Sequence, residues 1–97
     1  MKDGKIIVIT GATSGIGYEA ARKIARLGHT IVGLGSSSKS CLEAELKLSR
    51  QSLSGDIRFL ACDLSDQDDV RTLAQRLASD YPAIDVLLNN AGTLLVR

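Results

Sequence analysis

Four short apolar runs divide the chain into alternating elements. They are KIIVIT at 5–10, TIVGL at 30–34, IRFLAC at 57–62 and IDVLL at 84–88. The first run is β-branched and does not alternate with polar residues, which is typical of a strand that is covered on both faces. Between the runs, apolar residues recur at steps of three and four, which indicates helices. The pattern therefore predicts the order βαβαβαβ, without an internal repeat or a linker.

Each of the three predicted helices has one apolar face. The predicted faces are Ile16, Ala20, Ile24 and Leu27 in the first helix, Leu42, Leu46, Ser49 and Leu53 in the second, and Val70, Leu73, Ala74, Leu77 and Tyr81 in the third. Gly28 stands where a left-handed C-terminal cap follows the first helix, the second is expected to end near Gly55, and Pro82 ends the third. The segment from Ser65 to Asp68 predicts a capping box at the start of the third helix.

Strands that alternate with helices of this length specify an α/β fold with a parallel sheet and right-handed crossovers. We predict one domain over residues 1–97, a Rossmann-like doubly wound parallel sheet with its strands in the order 3-2-1-4. The first two helices then share one face of the sheet, and the third helix alone covers the other. Strands 1 and 4 flank the topological switch point, so a ligand is expected beyond their carboxyl ends.

Composition narrows the class of protein. Of the 97 residues, 44% are hydrophobic and 24% are charged, with a net charge of +1, as in soluble globular proteins. This balance provides no attraction for nucleic acid or an anionic membrane, and no apolar stretch approaches the length of a membrane span. Cys41 and Cys62 fit neither a disulfide framework nor a metal site, so we expect buried thiols in a cytoplasmic protein.

A glycine-rich loop, TGATSGIG at 10–17, connects the first strand directly to the first helix. Its glycines allow the backbone to approach an anion, and the helix N-terminus offers N–H groups and a positive dipole end to a pyrophosphate. The hydroxyls of Thr13 and Ser14 add donors, and Gly17 allows close packing of the helix on the sheet. A purely structural turn is the alternative. The predicted cofactor-binding residues of the loop are Thr10, Gly11, Thr13, Ser14, Gly15, Ile16 and Gly17.

Polar residues also follow the third and fourth strands. Asp63 could accept a hydrogen bond from an exocyclic amine, or could form an Asx turn ahead of the third helix. The amides of Asn89 and Asn90 follow an apolar run and need hydrogen-bond partners, which a structural role would supply as well as a ligand would. Ala91 and Gly92 leave space for a flat ring to pass close to the backbone.

Together these segments resemble the short-chain dehydrogenase/reductase family. TGATSGIG resembles its T-G-x-x-x-G-x-G signature, NNAG at 89–92 resembles its segment after strand 4, and Asp63-Leu64 resembles its D-L pair after strand 3. The resemblance implies an oxidoreductase that transfers hydride between a nicotinamide cofactor and an alcohol or carbonyl substrate. It puts Asp63 at the adenine ring and the asparagines at the rim of the cofactor site. The implied cofactor-binding residues are Asp63, Leu64, Asn89, Asn90, Ala91 and Gly92.

The residues after the second strand bear on the choice between NAD and NADP. NAD sites usually carry a carboxylate there for the ribose 2′-hydroxyl, but no acid occurs between Glu19 and Glu43. The hydroxyls of Ser36 and Ser37 and the ammonium of Lys39 could receive a 2′-phosphate instead. Family members that prefer NADP commonly carry an Arg where Ser36 stands, and Lys39 also fits a solvated position at a helix start. We favour NADP over NAD.

The catalytic residues implied by the resemblance are missing. The family uses a Ser and a Tyr-x-x-x-Lys pair, whereas Tyr18 is followed by Arg22 and Tyr81 by Asp85 at that spacing. Both tyrosines are predicted to be packing residues. We expect the chain alone to be inactive and to be the N-terminal, cofactor-binding half of a longer enzyme. The fold is then incomplete relative to the family fold, because strand 4 becomes an exposed apolar edge.

Two other functions stay open. A free-standing nucleotide-binding or self-associating module would close the strand 4 edge or the open sheet face by forming a homo-oligomer. A purely structural piece would bind neither NAD nor NADP. The expected partners are a dinucleotide and a second copy of the chain, with no nucleic acid and no membrane.

Overall fold

The computed structural model describes residues 4–51 and 55–89 and contains the predicted alternation of strands and helices. The elements are β1 (Ile6–Thr10), α1 (Gly15–Arg26), β2 (Thr30–Gly35), α2 (Ser38–Ser49), β3 (Ile57–Ala61), α3 (Gln67–Asp80) and β4 (Val86–Leu88). The four strands form one parallel sheet in the order β3-β2-β1-β4. The predicted α/β class and strand order are confirmed. None of the helices that the structure describes is long and apolar enough to cross a membrane.

β1 pairs with β2 on one side and with β4 on the other. Ile9 stands opposite Gly33 of β2 and Leu88 of β4. Because the strands are parallel, the segments that follow them all open at the same edge of the sheet. The glycine loop, the serine segment after β2 and the acidic segment after β3 are therefore neighbours in space.

The two faces of the sheet are covered unequally. The core under α1 and α2 consists of Ile7, Ile9, Ala12, Tyr18, Ala21, Ala25, Ile31, Cys41, Ala44, Leu48 and Phe59. The core under α3 is smaller and consists of Val8, Val32, Leu34 and Leu77. This division confirms that the first two helices share one face and that α3 lies on the other.

The predicted apolar faces of α1 and α2 are wrong in part. Ile16 and Leu27 are 81% and 71% exposed, and Leu42 and Leu46 are 58% and 54% exposed. The buried residues are Gly17, Tyr18, Ala21 and Ala25 in α1, with Ala20 and Ile24 partly buried beside them, and Cys41, Ala44 and Leu48 in α2. Most of these buried side chains are small and let the two helices approach the sheet, although Tyr18 and Leu48 are large and buried as well. Spacings of three and four mark neighbouring faces of a helix equally well, so packing decides between them.

α3 buries its predicted face only in part. Leu77 is buried, and Leu73 and Tyr81 are half-buried. Val70 and Ala74, which belong to the same predicted stripe, are exposed. Among the described residues no second helix lies on this side of the sheet, so the flank of the stripe has no neighbour to pack against.

Two helix ends follow the predicted signals and one does not. Gly28 has a φ of 98° after α1, which confirms the left-handed cap, and Pro82 follows the end of α3. α2 ends at Ser49 rather than near Gly55. Its 12 residues already span roughly 18 Å, the length of the sheet, and β3 begins two residues after Gly55. Leu53, predicted on the same helix, lies outside the described residues.

The capping box predicted at Ser65 is wrong. Asp66 is the N-cap of α3, and its Oδ1 accepts hydrogen bonds from the N–H groups of Asp68 and Asp69 at 2.9 and 3.3 Å. Aspartate is at least as good a cap as serine, and its charge also interacts favourably with the positive end of the helix dipole. The Ser65 hydroxyl is consequently available for another partner, Asp63.

β4 lies at the edge of the sheet, as predicted. Val86, Leu87 and Leu88 are 36%, 64% and 37% exposed. Within the part of the chain that the structure describes, β4 pairs with β1 alone. An apolar strand therefore presents one side chain after another to solvent together with its outer backbone edge.

Candidate functional site

The glycine loop after β1 needs glycine at two positions. Gly11 and Gly15 have φ values of 61° and 59°, in the left-handed region that other residues rarely adopt. A Cβ atom built on Gly15 meets no atom within 4 Å, so the space in front of the loop is open. The turn is thus shaped to leave room directly before the first turn of α1.

The N-terminus of α1 keeps its positive character. Ser14 is the N-cap residue, but its side chain makes no capping hydrogen bond, and the first turn contains no acidic residue. The N–H groups of a first helical turn have no partners within the helix and point out of its end. A helix N-terminus without a neutralising carboxylate is suited to an anionic group.

The loop is seated tightly on the end of β2. The N–H of Ala12 donates to the carbonyl oxygen of Leu34 at 3.0 Å. A Cβ on Gly35 would lie 2.5 Å from Cγ2 of Thr13 and 2.9 Å from Sγ of Cys41. Gly35 therefore allows an approach that a side chain at this position would prevent, and this approach fixes one wall of a cleft.

A cleft of about 400 Å³ lies beside the loop, at the carboxyl ends of β1, β2 and β3. It is lined by Gly11, Thr13, Ser14, Leu34, Gly35, Ser36, Cys62, Asp63, Leu64 and Ser65. Six of the predicted site residues are thereby brought together from three segments of the sequence. The lining combines backbone, hydroxyl groups, one carboxylate and apolar surface, which is the mixture expected of a small-molecule site.

A second depression, of about 260 Å³, lies on the other side of the loop, between α1 and β4. It is lined by Ile9, Ile16, Gly17, Ala20, Leu88 and Asn89. The positive end of α1 consequently stands between two hollows, one toward β3 and one toward β4. An elongated ligand with a central anionic group fits this arrangement.

Asp63 is held in a defined orientation at the mouth of the larger cleft. Its Oδ1 accepts hydrogen bonds from the Ser65 hydroxyl at 2.6 Å and from the Ser65 N–H at 3.0 Å. The hydroxyl first and the N–H second lower the pKa of the Asp63 carboxyl below its ordinary value. The N–H of Asp63 in turn donates to Oδ2 of Asp69 at 2.9 Å. The Asx turn considered from the sequence is therefore present, and it fixes an ionised carboxylate beside the cleft.

Two serines that follow β2, Ser36 and Ser37, have different roles. The Ser37 hydroxyl is the N-cap of α2: it accepts from the N–H of Ser40 at 3.1 Å and donates to Oγ of Ser40 at 3.0 Å. Ser37 does not line the cleft, whereas Ser36 does. Lys39 is exposed and also lies outside the cleft lining.

Thr10 links the glycine loop to the end of β4. Its buried Oγ1 lies 3.2 Å from Oδ1 of Asn89 and 3.5 Å from the carbonyl oxygen of Leu88. The hydroxyl is the donor in this contact, so the Asn89 amide has a structural partner at the rim of the smaller depression. Asn90, Ala91 and Gly92, which the sequence also predicts to bind the cofactor, lie outside the described residues.

The cysteines and tyrosines are packing residues, as predicted. Cys41 and Cys62 are buried, and burial raises the pKa of both thiols. Tyr18 is 8% exposed, with the ammonium of Lys47 4.5 Å from its ring centre, and the Tyr81 hydroxyl accepts a hydrogen bond from Arg58.

Across residues 4–51 and 55–89, no group of histidine, cysteine or acidic side chains could hold a metal ion.

Sequence reasoning missed some of the cleft. Leu34, Gly35 and Ser65 were given other roles or none. The close approach of Gly35 to the loop has no signal in a single sequence. Ser65 had one, since the N–H two residues after an aspartate can close an Asx turn, and a serine hydroxyl at that position can reach the same carboxylate.

Comparison with known proteins places the chain in a family. The model of the short chain dehydrogenase family matches residues 5–96. Polyprenol dehydrogenase of Homo sapiens is 32% identical over 92 residues, which are 95% of this chain and 28% of that protein. A "probable NADP-dependent dehydrogenase" of Dichelobacter nodosus is 38% identical over 91 residues, 93% of this chain and 80% of that protein. The chain belongs to the short-chain dehydrogenase/reductase family of oxidoreductases.

The solved structures agree with the sequence relatives. A metagenomic short-chain oxidoreductase in complex with NADP superposes with a TM-score of 0.80 and 32% sequence identity. The match covers 92% of this chain and 39% of that structure. The chain thus spans well under half the length of this neighbour and about a quarter of the human relative.

Proposed function

We propose that the chain is the cofactor-binding half of an oxidoreductase that transfers hydride between a nicotinamide dinucleotide and an alcohol or carbonyl compound. Residues 1–97 would form one such half-domain, in the cytoplasm. The observation that carries the proposal is the open, positive end of α1 between two depressions at one edge of the sheet. Bound in this way, the nicotinamide supplies the hydride chemistry, and the protein supplies position and electrostatics.

The pyrophosphate would lie before the first turn of α1. The space in front of Gly15 is open and would accommodate this group, and a Cβ at Gly15 would enter the place that we assign to a phosphate. N–H groups of the helix end and the hydroxyls of Thr13 and Ser14 would donate to its oxygens. Gly11 and Gly17 allow the loop and helix to adopt this shape.

The adenosine would occupy the larger cleft. Asp63 carries an ionised carboxylate at its mouth, which can accept from the exocyclic amine of adenine, and Leu64 offers apolar surface to the ring. Ser36 and Ser14 both line this cleft, so the ribose would lie near their hydroxyl groups. The end of β2 contributes hydroxyl groups there and no carboxylate, which favours a 2′-phosphate over a bare 2′-hydroxyl.

NADP is accordingly the preferred cofactor in our proposal, with NAD as the alternative. The metagenomic neighbour holds NADP, and the Dichelobacter relative is named for dependence on it. Ser37 would contribute through the backbone of the α2 N-terminus, because its hydroxyl already caps that helix. The nicotinamide would extend toward β4, where Asn89 lies beside the smaller depression and Asn90, Ala91 and Gly92 follow.

Calorimetric titration of the full chain with NADP⁺ and NAD⁺ tests this proposal. We expect micromolar binding, on the order of 8 kcal/mol, with NADP⁺ the tighter ligand. Ser36→Asp should reverse the order, because its carboxylate repels a 2′-phosphate and accepts from a 2′-hydroxyl. Ser49→Asp, on the exposed end of α2 away from the cleft, is the matched control and should leave the order unchanged. Absence of binding to either dinucleotide would overturn the proposal.

Catalysis by the chain alone is not expected. Neither tyrosine lies in the cleft lining, and neither is followed by a lysine at the fourth position. Oxidation of a panel of alcohols with NADP⁺ should show no turnover above the buffer rate. If the chain did oxidise an alcohol, and if this turnover persisted in Tyr18→Phe and Tyr81→Phe, the catalytic group would be a residue other than these two tyrosines.

A second candidate is a self-associating module. The exposed apolar side chains of β4 favour it, because a second copy could pair with the strand edge or cover the open sheet face. Sedimentation equilibrium should then give a dimer or a higher homo-oligomer, and Leu87→Lys should shift the chain toward monomer. A wild-type chain that stays monomeric across a hundredfold range of concentration would exclude this candidate.

A further inference from the structure

We propose that Ser65 is a positioning residue for base recognition, which holds the Asp63 carboxylate where it selects a base that carries an exocyclic amine. The inference rests on the proposed function, since it assumes that a dinucleotide occupies the larger cleft. Ser65 itself lines this cleft together with Asp63. Its effect on the ligand is exerted through the carboxylate.

The geometry ties the two residues closely. The Ser65 hydroxyl donates to Oδ1 of Asp63 at 2.6 Å, a short distance typical of a hydroxyl that bonds a charged oxygen, and the Ser65 N–H donates to the same atom at 3.0 Å. Asp63 is exposed and lies in the segment between β3 and α3. A carboxylate in such a place would otherwise rotate among several rotamers, and the two hydrogen bonds select one of them.

The Ser65 hydroxyl does not cap a helix. Asp66 already caps α3 through the N–H groups of Asp68 and Asp69. The backbone of Asp63 is held separately, by its N–H bond to Asp69 at 2.9 Å. Removal of the Ser65 hydroxyl should therefore leave the helix and the backbone in place. The Asp63 side chain would keep only the bond from the Ser65 N–H and would be less firmly oriented.

The chemistry of the base decides what this orientation achieves. Adenine presents an amino group at its 6-position, which donates to a carboxylate, whereas hypoxanthine presents a carbonyl oxygen there, which a carboxylate repels. The pKa of Asp63 is lowered by the Ser65 hydroxyl and N–H, so the carboxylate stays an acceptor at neutral pH. A fixed carboxylate discriminates between the two bases, and a mobile one does so less.

The test uses the full chain and two ligands, NADP⁺ and its hypoxanthine analogue. Wild type should bind NADP⁺ more tightly than the analogue. Ser65→Ala should weaken NADP⁺ binding by about fivefold, which is less than the loss of a full hydrogen bond to a charged group would cause. The affinity for the hypoxanthine analogue should stay unchanged. Ser65→Thr, which keeps the hydroxyl, should restore the preference. Ser49→Ala, which also removes a hydroxyl that bonds a neighbouring carbonyl group but lies far from the cleft, is the control.

The outcomes separate the inference from the function beneath it. A wild type that binds neither ligand overturns the proposed function. A wild type that binds both equally overturns the assignment of Asp63 to the base. An equal loss for both ligands in Ser65→Ala assigns Ser65 a purely structural role, and an unchanged preference removes it from base recognition altogether.

Discussion

The carboxylate of Glu45 accepts a hydrogen bond from the backbone N–H of Phe59, with 3.1 Å between Oε2 and N. β3 is the outer strand on its side of the sheet, and its alternate N–H groups bond β2, as the bond from Cys62 to Gly35 shows. The N–H of Phe59 belongs to the other set and faces away from β2. Glu45 reaches it from α2 and so places a negative charge across the middle of a strand edge that no other described strand covers.

Glu45→Ala should therefore promote edge-to-edge association. Loss of the acceptor leaves the Phe59 N–H to solvent or to another strand, and we expect a loss of about 1 kcal/mol in the free energy of unfolding. Light scattering during storage and urea unfolding measure the two effects. Glu45→Gln keeps an acceptor oxygen and should fall between wild type and Glu45→Ala. Glu43→Ala is the control, because Glu43 is an exposed acid on the same helix, as Glu45 is, but has no hydrogen bond to β3. Equal aggregation of the Glu43 and Glu45 variants would contradict the assignment.

Gly15→Ala should separate binding from stability. Its φ of 59° costs a residue with a Cβ about 1–2 kcal/mol, although the added methyl meets no protein atom within 4 Å. The methyl would enter the space assigned to the pyrophosphate, so dinucleotide affinity should fall by far more than the loss of stability explains. Thermal unfolding and titration calorimetry give the two numbers. Retention of wild-type affinity in a folded Gly15→Ala variant would remove the pyrophosphate from this position.

Gly35→Ala should lower the stability of the fold more than it lowers the affinity for the dinucleotide. The added Cβ would lie 2.5 Å from Cγ2 of Thr13 and 2.9 Å from Sγ of Cys41. The backbone at residue 35 therefore could not move away from one of these atoms without approaching the other. Overpacking of this kind costs roughly 1–3 kcal/mol and moves the loop away from β2. Urea unfolding should show the loss, and Thr13→Ser, which deletes the obstructing methyl group, should recover part of it in the double variant. Purely additive effects of the two substitutions would argue against this contact.

The pH dependence of stability should report the bond between Ser65 and Asp63. The pKa of Asp63 is lower in the folded protein than in the unfolded chain, because the Ser65 hydroxyl and N–H bond its charged form. The resulting stabilisation is present above the unfolded-state pKa and is lost as the pH falls through the folded-state pKa. Unfolding of wild type and of Asp63→Asn across the acid range should converge at low pH. Curves that stay parallel throughout would contradict the shift.

The topology could be predicted because it depends on signals that are local in the sequence. Apolar runs of five or six residues, separated by helical spacing, leave few arrangements other than a doubly wound parallel sheet. Gly28 marked its helix end for an equally local reason, since its φ of 98° suits glycine. The positions of the glycine loop and of Asp63 at one edge of the sheet followed directly from the strand order.

The helix faces and the cap of α3 could not be predicted because each depends on a competition. In α1 the large Ile16 was the stronger apolar signal, yet the small Ala21 and Ala25 allow the helix to lie closer to the sheet. At the start of α3, Ser65 and Asp66 are both good caps, and the nearby Asp63 carboxylate decides between them by taking the serine hydroxyl. Such choices are made by contacts in three dimensions and leave no trace in residue spacing.

The larger cleft is assembled from segments near residues 11–14, 34–36 and 62–65, so no part of it exists before β1, β2 and β3 have come together. A dinucleotide that binds there would contact segments that follow three strands and would stabilise the folded sheet. At a hundred times its dissociation constant it would add about 2.7 kcal/mol to the free energy of unfolding, a substantial fraction of what holds a small domain together. The concentration of cofactor would then set the fraction of chains that are folded, as well as the fraction of sites that are filled.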